Sequence, residues 1–163
     1  MKVLVAALLL AILLPTSAIA SQVGSTAPDF SLSDLTGKPV SLQQFKGKVV
    51  LLDFWAPWCD LCREELPKLE ALYKQRGKDG FEIIGIGIDT SEPQVTEFLQ
   101  KAPVTFTISI DKKSNVRRAY NFRTLPTTFI IGRDVVIRYV HLGYSNGYLQ
   151  MYEKEIDELL KQQ

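Results

Sequence analysis

Cysteine and histidine are nearly absent from this chain. Its 163 residues include two cysteines, Cys59 and Cys62, and a single histidine, His141. No third or fourth cysteine exists to close a structural bridge, so stability has to come from an apolar core, which 46% hydrophobic residues can supply. His141 falls between Val140 and Leu142 in a strand-like stretch, which favours a packed or surface imidazole over a catalytic or metal-binding one. Neither sign of charge dominates: 19 Lys and Arg stand against 18 Asp and Glu, without a basic run. Nucleic acid and anionic membrane surfaces are therefore poor candidate partners. No internal repeat or low-complexity segment follows the first twenty residues, and neither a metal nor another cofactor is expected.

Those first twenty residues read as a leader. Lys2 precedes an apolar run, Val3 to Leu14, followed by Pro15-Thr16-Ser17 and the small-residue pattern Ala18-Ile19-Ala20. This is the layout of a signal peptide over 1–20, with cleavage after Ala20. The run is short for a membrane-spanning helix, which needs roughly 20 residues; an uncleaved anchor is the alternative. No cysteine follows the cleavage point, which argues against a lipid-modified N-terminus. Removal of Lys2 with the leader brings the two signs of charge into balance. The mature chain, 21–163, is sized for one domain in an exported, disulfide-permitting compartment.

Phe30 to Leu32 and Val40 to Leu42 flank a turn at Thr36-Gly37-Lys38-Pro39, as two short strands would. Lys48 to Trp55 and Phe81 to Ile88 read as buried strands, with Phe106 to Ile110 as a third. Helical periodicity covers Cys59 to about Gln75 through Leu66, Leu69, Leu72 and Tyr73, with Pro67 as an expected kink. Glu92 to Lys101, Asn115 to Tyr120 and Tyr148 to Leu160 are further helices. Thr127 to Ile131 and Val135 to Leu142 form a pair joined at Gly132-Arg133-Asp134. Strands alternating with helices predict an α/β domain with a parallel sheet, an antiparallel edge and helices on both faces.

What chemistry there is gathers in Trp55-Ala56-Pro57-Trp58-Cys59-Asp60-Leu61-Cys62, where a strand meets a helix. Two thiols at this spacing can close a small disulfide and pass it on. The outer cysteine sits at the helix N-terminus, where free N–H groups and the helix dipole favour the attacking thiolate. Cys62, one turn along, can then release the mixed disulfide. Asp60 places a negative charge beside Cys59, which disfavours the thiolate, stabilises the disulfide and leans the pair towards donating electrons, unless solvent exposure screens it. Asp53 interrupts the apolar run Val49 to Leu52. Burial would raise its pKa and make it a proton acceptor and donor for Cys62, unless the strand end exposes it.

Three segments, Ala27-Pro28-Asp29-Phe30, Asp53 to Cys62 and Leu125-Pro126-Thr127-Thr128-Phe129, together resemble the thioredoxin superfamily. More narrowly they are similar to its exported branch, related to bacterial proteins of cytochrome c maturation, over nearly all of the mature chain. The resemblance implies a thioredoxin-like fold: a central mixed sheet with helices on both faces and an extra N-terminal hairpin. It implies Cys59 as nucleophile and Cys62 as resolving thiol. Pro126 would be a cis-proline facing the disulfide and turning the backbone of Leu125 towards an extended substrate; an ordinary trans turn proline is the alternative. Gly143 lies where the superfamily keeps a glycine near the disulfide, though a turn after a strand explains it equally. Trp58 and Tyr144 could flank a docking patch with Leu125, or simply pack.

Two departures stand out. Thioredoxins pair the buried aspartate with a lysine on the neighbouring strand, and Ile83 to Ile88 offers none; Leu61 replaces the usual proline. Reductants of cytochrome c maturation often carry an acid after the second central strand, near Asp89 and Glu92 here. The implied partners are a protein disulfide, apocytochrome c among the candidates, and a membrane disulfide reductase as electron donor. The implied place is the bacterial periplasm, with a monomer expected. Two other readings compete. A peroxiredoxin-like peroxidase needs a Thr or Ser three residues before its cysteine, where this chain has Ala56. A thioredoxin-like copper carrier could use both cysteines and His141, but such carriers space the cysteines by three residues and place the histidine before the cis-proline region.

Overall fold

The computed structural model describes residues 22–77 and 80–162; the expected leader over 1–20 lies outside them. Strands β1 (Leu32–Ser33) and β2 (Pro39–Val40) form the N-terminal hairpin, with Leu32 opposite Val40. Asp34 closes its turn by accepting the backbone N–H groups of Thr36 at 2.8 Å and Lys38 at 3.0 Å. The second strand ends at Val40, two residues short of expectation. Ser41 there starts a 3₁₀ turn, Leu42–Phe45, through a reciprocal capping box with Gln44.

The main sheet has the order β5-β4-β3-β6-β7. At its centre β3 (Val49–Trp55) runs parallel to β4 (Phe81–Gly87), which runs parallel to β5 (Thr107–Ile110). On the other side β6 (Thr127–Ile131) and β7 (Ile137–Leu142) add antiparallel strands. Every residue of β3 and β4 is buried, as their continuous apolar runs require. The last strand starts at Ile137 rather than Val135, because the chain turns at Gly132 to Val135 and Val135 takes a left-handed φ of 65°.

Four helices complete the chain: α1 (Asp60–Arg76), α2 (Glu92–Lys101), α3 (Asn115–Tyr120) and α4 (Tyr148–Lys161). Helix α1 continues through Pro67. The two-residue period of β3 divides the core. Val49, Leu51 and Trp55 pack with Leu66 and Leu69 of α1, Val95 of α2, and Tyr152 and Ile156 of α4. Val50, Leu52 and Phe54 pack on the opposite side with Val116 and Tyr120 of α3 and with Phe30 and Leu42 of the N-terminal segment. Helices thus cover both faces of a mixed sheet. Asp53 belongs to the α1–α4 face.

Candidate active site

Cys59 is the N-cap of α1, with extended backbone angles, and its Sγ accepts the Cys62 backbone N–H at 3.2 Å. It is bonded to Cys62 across a Cα–Cα distance of 5.3 Å, within the normal disulfide range. Cys59 keeps a sliver of exposure and Cys62 has none, so an incoming thiol or disulfide meets Cys59 first. Trp58 and Leu61 stand exposed on either side of Cys59. The Asp60 side chain is 92% exposed and lies 3.6 Å from Arg63. Its charge is screened by solvent and offset by that guanidinium, so the lean it gives the pair is weak.

The Leu125–Pro126 peptide bond is cis. Pro126 is buried, and its carbonyl accepts the Gly143 N–H at 2.8 Å, which ties the end of β7 to the entry of β6. Gly143 has a φ of 74°, a left-handed conformation in which a side chain is strained. Half-buried Leu125 packs on the cluster that contains both cysteines. Tyr144 departs from its expected part in a docking patch: it is buried, with Lys68 Nζ 4.8 Å above its ring.

One helical turn beyond Cys62, at Glu65, four polar side chains from four elements meet inside the apolar core. Asp53 of β3 is fully buried, which settles its placement against the exposed strand end. Its Oδ1 accepts the Thr128 hydroxyl of β6 at 3.1 Å. Thr128 Oγ1 also lies 3.5 Å from Glu65 Oε1 of α1, and the Tyr152 hydroxyl of α4 donates to that same Glu65 oxygen at 2.8 Å. Asp53 Oδ2 and Glu65 Oε2 are buried with no hydrogen-bond partner. Burial pushes the Asp53 carboxyl up to about 7. Burial and then the Asp53 charge push Glu65 further, to about 9. Two carboxylates so close in a dry site cannot both ionise cheaply, so the pair retains a proton near neutral pH.

Glu65 was not singled out by the sequence reading. Its signal was present: it follows Cys62 by three residues, on the same helical face and in the stripe of Leu66, Leu69 and Leu72. Asp53 stands opposite Gly85 on β4, where a Cβ would meet Ile108 Cδ1 at 2.7 Å and Trp55 Nε1 at 3.2 Å. A side chain there would have to displace Ile108 and crowd Trp55, so the position opposite Asp53 holds no lysine; the ionisable neighbour of Asp53 is an acid instead. Asp89 and Glu92 are engaged elsewhere, Asp89 by Arg117 and Glu92 by Lys112 at 3.5 Å. His141 lies across from Thr128 in the sheet register, with its Nε2 2.7 Å from Glu155 Oε2.

Comparison with known proteins agrees with this geometry. The AhpC/TSA family profile matches residues 23–140. The thiol-disulfide oxidoreductase ResA of Geobacillus kaustophilus is 39% identical over 128 residues, covering 78% of this chain and 74% of that protein. The thioredoxin-like protein YneN of Bacillus subtilis is 41% identical over 142 residues, covering 85% and 79%. A crystal structure of a thiol:disulfide interchange protein DsbE from Chlorobium tepidum superposes with a TM-score of 0.80 at 33% identity, covering 84% of this chain and 96% of that one. A family match over most of the chain, a thioredoxin-like sheet and a disulfide at the head of α1 lead to one conclusion: the chain belongs to the AhpC/TSA family and is a thioredoxin-like thiol–disulfide oxidoreductase.

Proposed function

We propose that the protein works as a reductant of disulfides in exported proteins, apocytochrome c among them, with Cys59 as nucleophile and Cys62 as resolving thiol. The observation that carries this direction is the buried carboxyl pair that Asp53 and Glu65 form one helical turn beyond a buried resolving cysteine. An oxidant needs its reduced form stabilised as thiolate. The side chains hydrogen-bonded into this site are Asp53, Glu65, Thr128 and Tyr152, and the one cation that acts on it, Lys68, is a minor influence on Glu65 beside burial and the Asp53 charge. Such surroundings disfavour thiolate and favour the disulfide, which makes the dithiol a good electron donor.

In the forward step the Cys59 thiolate attacks a substrate disulfide. A Cys59–substrate bond forms, and the other substrate sulfur leaves as a thiolate that takes up a proton. Asp53, or Glu65 through the shared proton site, accepts the Cys62 proton. Cys62 then attacks Cys59 Sγ, closes the disulfide and releases the second substrate sulfur. Two electrons have passed to the substrate, and a membrane disulfide reductase restores the dithiol. Pro126, Leu125 and Gly143 shape the entry beside the disulfide, where the Leu125 backbone can pair with an extended substrate segment. The leader pattern over residues 1–20 supports an extracytoplasmic site of action. No helix among the described residues is long and apolar enough to cross a membrane.

Buried Ala56, three residues before Cys59, supplies no hydroxyl for a peroxide, which favours disulfide exchange over peroxidase chemistry. The test uses the reduced protein and oxidised apocytochrome c carrying a Cys-x-x-Cys disulfide. We expect reduction at least tenfold faster than by the same concentration of dithiothreitol; no acceleration would reject the reading.

A further inference from the structure

Trp58 is the most exposed of the large apolar side chains among the described residues, at 58%. Its indole is nonetheless tethered: Nε1–H donates to the Asp89 carbonyl at 3.0 Å, in the loop after β4. Asp89 has a φ of 48°, a left-handed conformation that aspartate adopts more readily than most residues with a Cβ. It is held from α3, since the Arg117 guanidinium is ion-paired and hydrogen-bonded to the Asp89 carboxylate. Arg117 is itself fixed, through its backbone N–H on Asp111 Oδ2 at 2.9 Å and its guanidinium 6.0 Å above the Phe122 ring. Beside the tethered indole lies a groove of about 290 Å³, with Pro57, Trp58 and Phe98 as its apolar wall and Arg63, Gln94, Glu97 and Lys101 completing its lining. Its far wall is firm as well, because Phe98 packs in a tilted arrangement with its ring 5.4 Å from buried Trp55.

We infer that the Arg117–Asp89 pair is a positioning device: it locks Trp58 as one wall of a groove that receives an apolar side chain flanking the cysteine of an extended protein substrate. This rests on the disulfide-reductase reading. The partner's chemistry follows from the groove, which starts one residue from Cys59 and offers the apolar faces of Pro57, Trp58 and Phe98 beside the polar side chains of Arg63, Gln94, Glu97 and Lys101, a volume that suits one apolar side chain of a substrate segment. The tether's effect is preorganisation. A large rotamer-free side chain would otherwise have to be ordered each time a substrate docks.

Arg117→Ala and Arg117→Lys test the device, each assayed with two substrates, insulin as a protein disulfide and hydroxyethyl disulfide as one with no flanking side chain. With dithiothreitol as recycling thiol, Arg117→Ala is expected to raise KM for insulin roughly three- to tenfold at constant kcat. The hydroxyethyl disulfide rate stays unchanged, and Arg117→Lys restores most of the loss. The same variant should raise acrylamide quenching of Trp58, read against Trp58→Phe, in which only buried Trp55 emits. An unchanged insulin KM, an equal loss with both disulfides, or unchanged quenching would each overturn the inference. Inactivity of the unaltered protein towards both disulfides would instead reject the reductase reading, and this inference with it.

Discussion

Cys62→Ser is expected to turn a catalyst into a covalent trap. Cys59 still occupies the N-cap of α1 and still faces the substrate, so the first attack proceeds. The mixed disulfide it forms has no internal thiol to resolve it and must wait for an external one. Well-placed intramolecular groups reach effective molarities of ~10⁵ M or more, so with millimolar external thiol turnover should fall on the order of 10³-fold or further. The adduct should accumulate to one substrate chain per protein, visible as a mass increase that dithiothreitol reverses. Cys59→Ser should lose turnover as completely but form no adduct, because buried Cys62 is out of reach. If instead Cys62→Ser stays active and Cys59→Ser forms the adduct, the assignment of nucleophile and resolving thiol is reversed.

Removing charge from the buried acid pair is expected to make the protein more stable and less active. Both carboxyls have their pKa raised in the folded chain, chiefly by burial. For an acid raised on folding, the unfolded chain loses its proton first. Stability is therefore fully present below the ordinary carboxylate range, near 4, and is lost as pH climbs through about 7 for Asp53 and about 9 for Glu65. Asp53→Asn removes a charge that the interior solvates poorly. At pH 8 it should stabilise the fold by about 1–4 kcal/mol, a rise in Tm of several degrees, while leaving stability at pH 4 little changed. The same substitution removes the proton acceptor for Cys62 and should slow release of the mixed disulfide roughly 10–100-fold at pH 7. Glu65→Gln should act in the same direction on stability and leave the pH at which Asp53 ionises little changed, because Glu65 is still protonated there; Asp53→Asn should instead lower the pH at which Glu65 ionises, because the neighbouring charge is gone. A calorimetric pH series together with single-turnover kinetics checks both halves. A Tm gain without loss of rate would leave the pair a structural feature only.

The sequence carried the parts of this site whose signals are local. The Cys59–Cys62 spacing, the apolar strand before it and the helical stripe after it lie within one stretch of about thirty residues, and each follows a periodicity that burial enforces. The acid pair was half legible. Asp53 announced itself by interrupting an apolar run, whereas Glu65 hides behind Arg63 and Glu64 as the third member of a charged run. Its burial depends on Thr128 and on Tyr152, the latter 87 residues away on the last helix, which no local pattern reports. The tether on Trp58 depends in the same way on Asp89 and Arg117, brought together across 28 residues where α3 meets the loop after β4. For Asp60 the screened alternative is the one found: its proximity in sequence suggests influence, but solvent and Arg63 dilute it. The lean towards electron donation therefore passes from Asp60 to the buried pair. The element boundaries that moved, at Val40 and Val135, did so where a capping box and a left-handed residue ended or delayed a strand.

The reduction potential of the Cys59–Cys62 couple, measured by equilibration with dithiothreitol at pH 7, addresses the direction of electron flow most directly. With a buried acid pair one helical turn beyond the resolving thiol, the couple should lie near or below the ~−270 mV typical of thioredoxin. A value close to the ~−120 mV of strong periplasmic oxidants would mean that the reduced form is stabilised, and would contradict the account of this protein as a reductant.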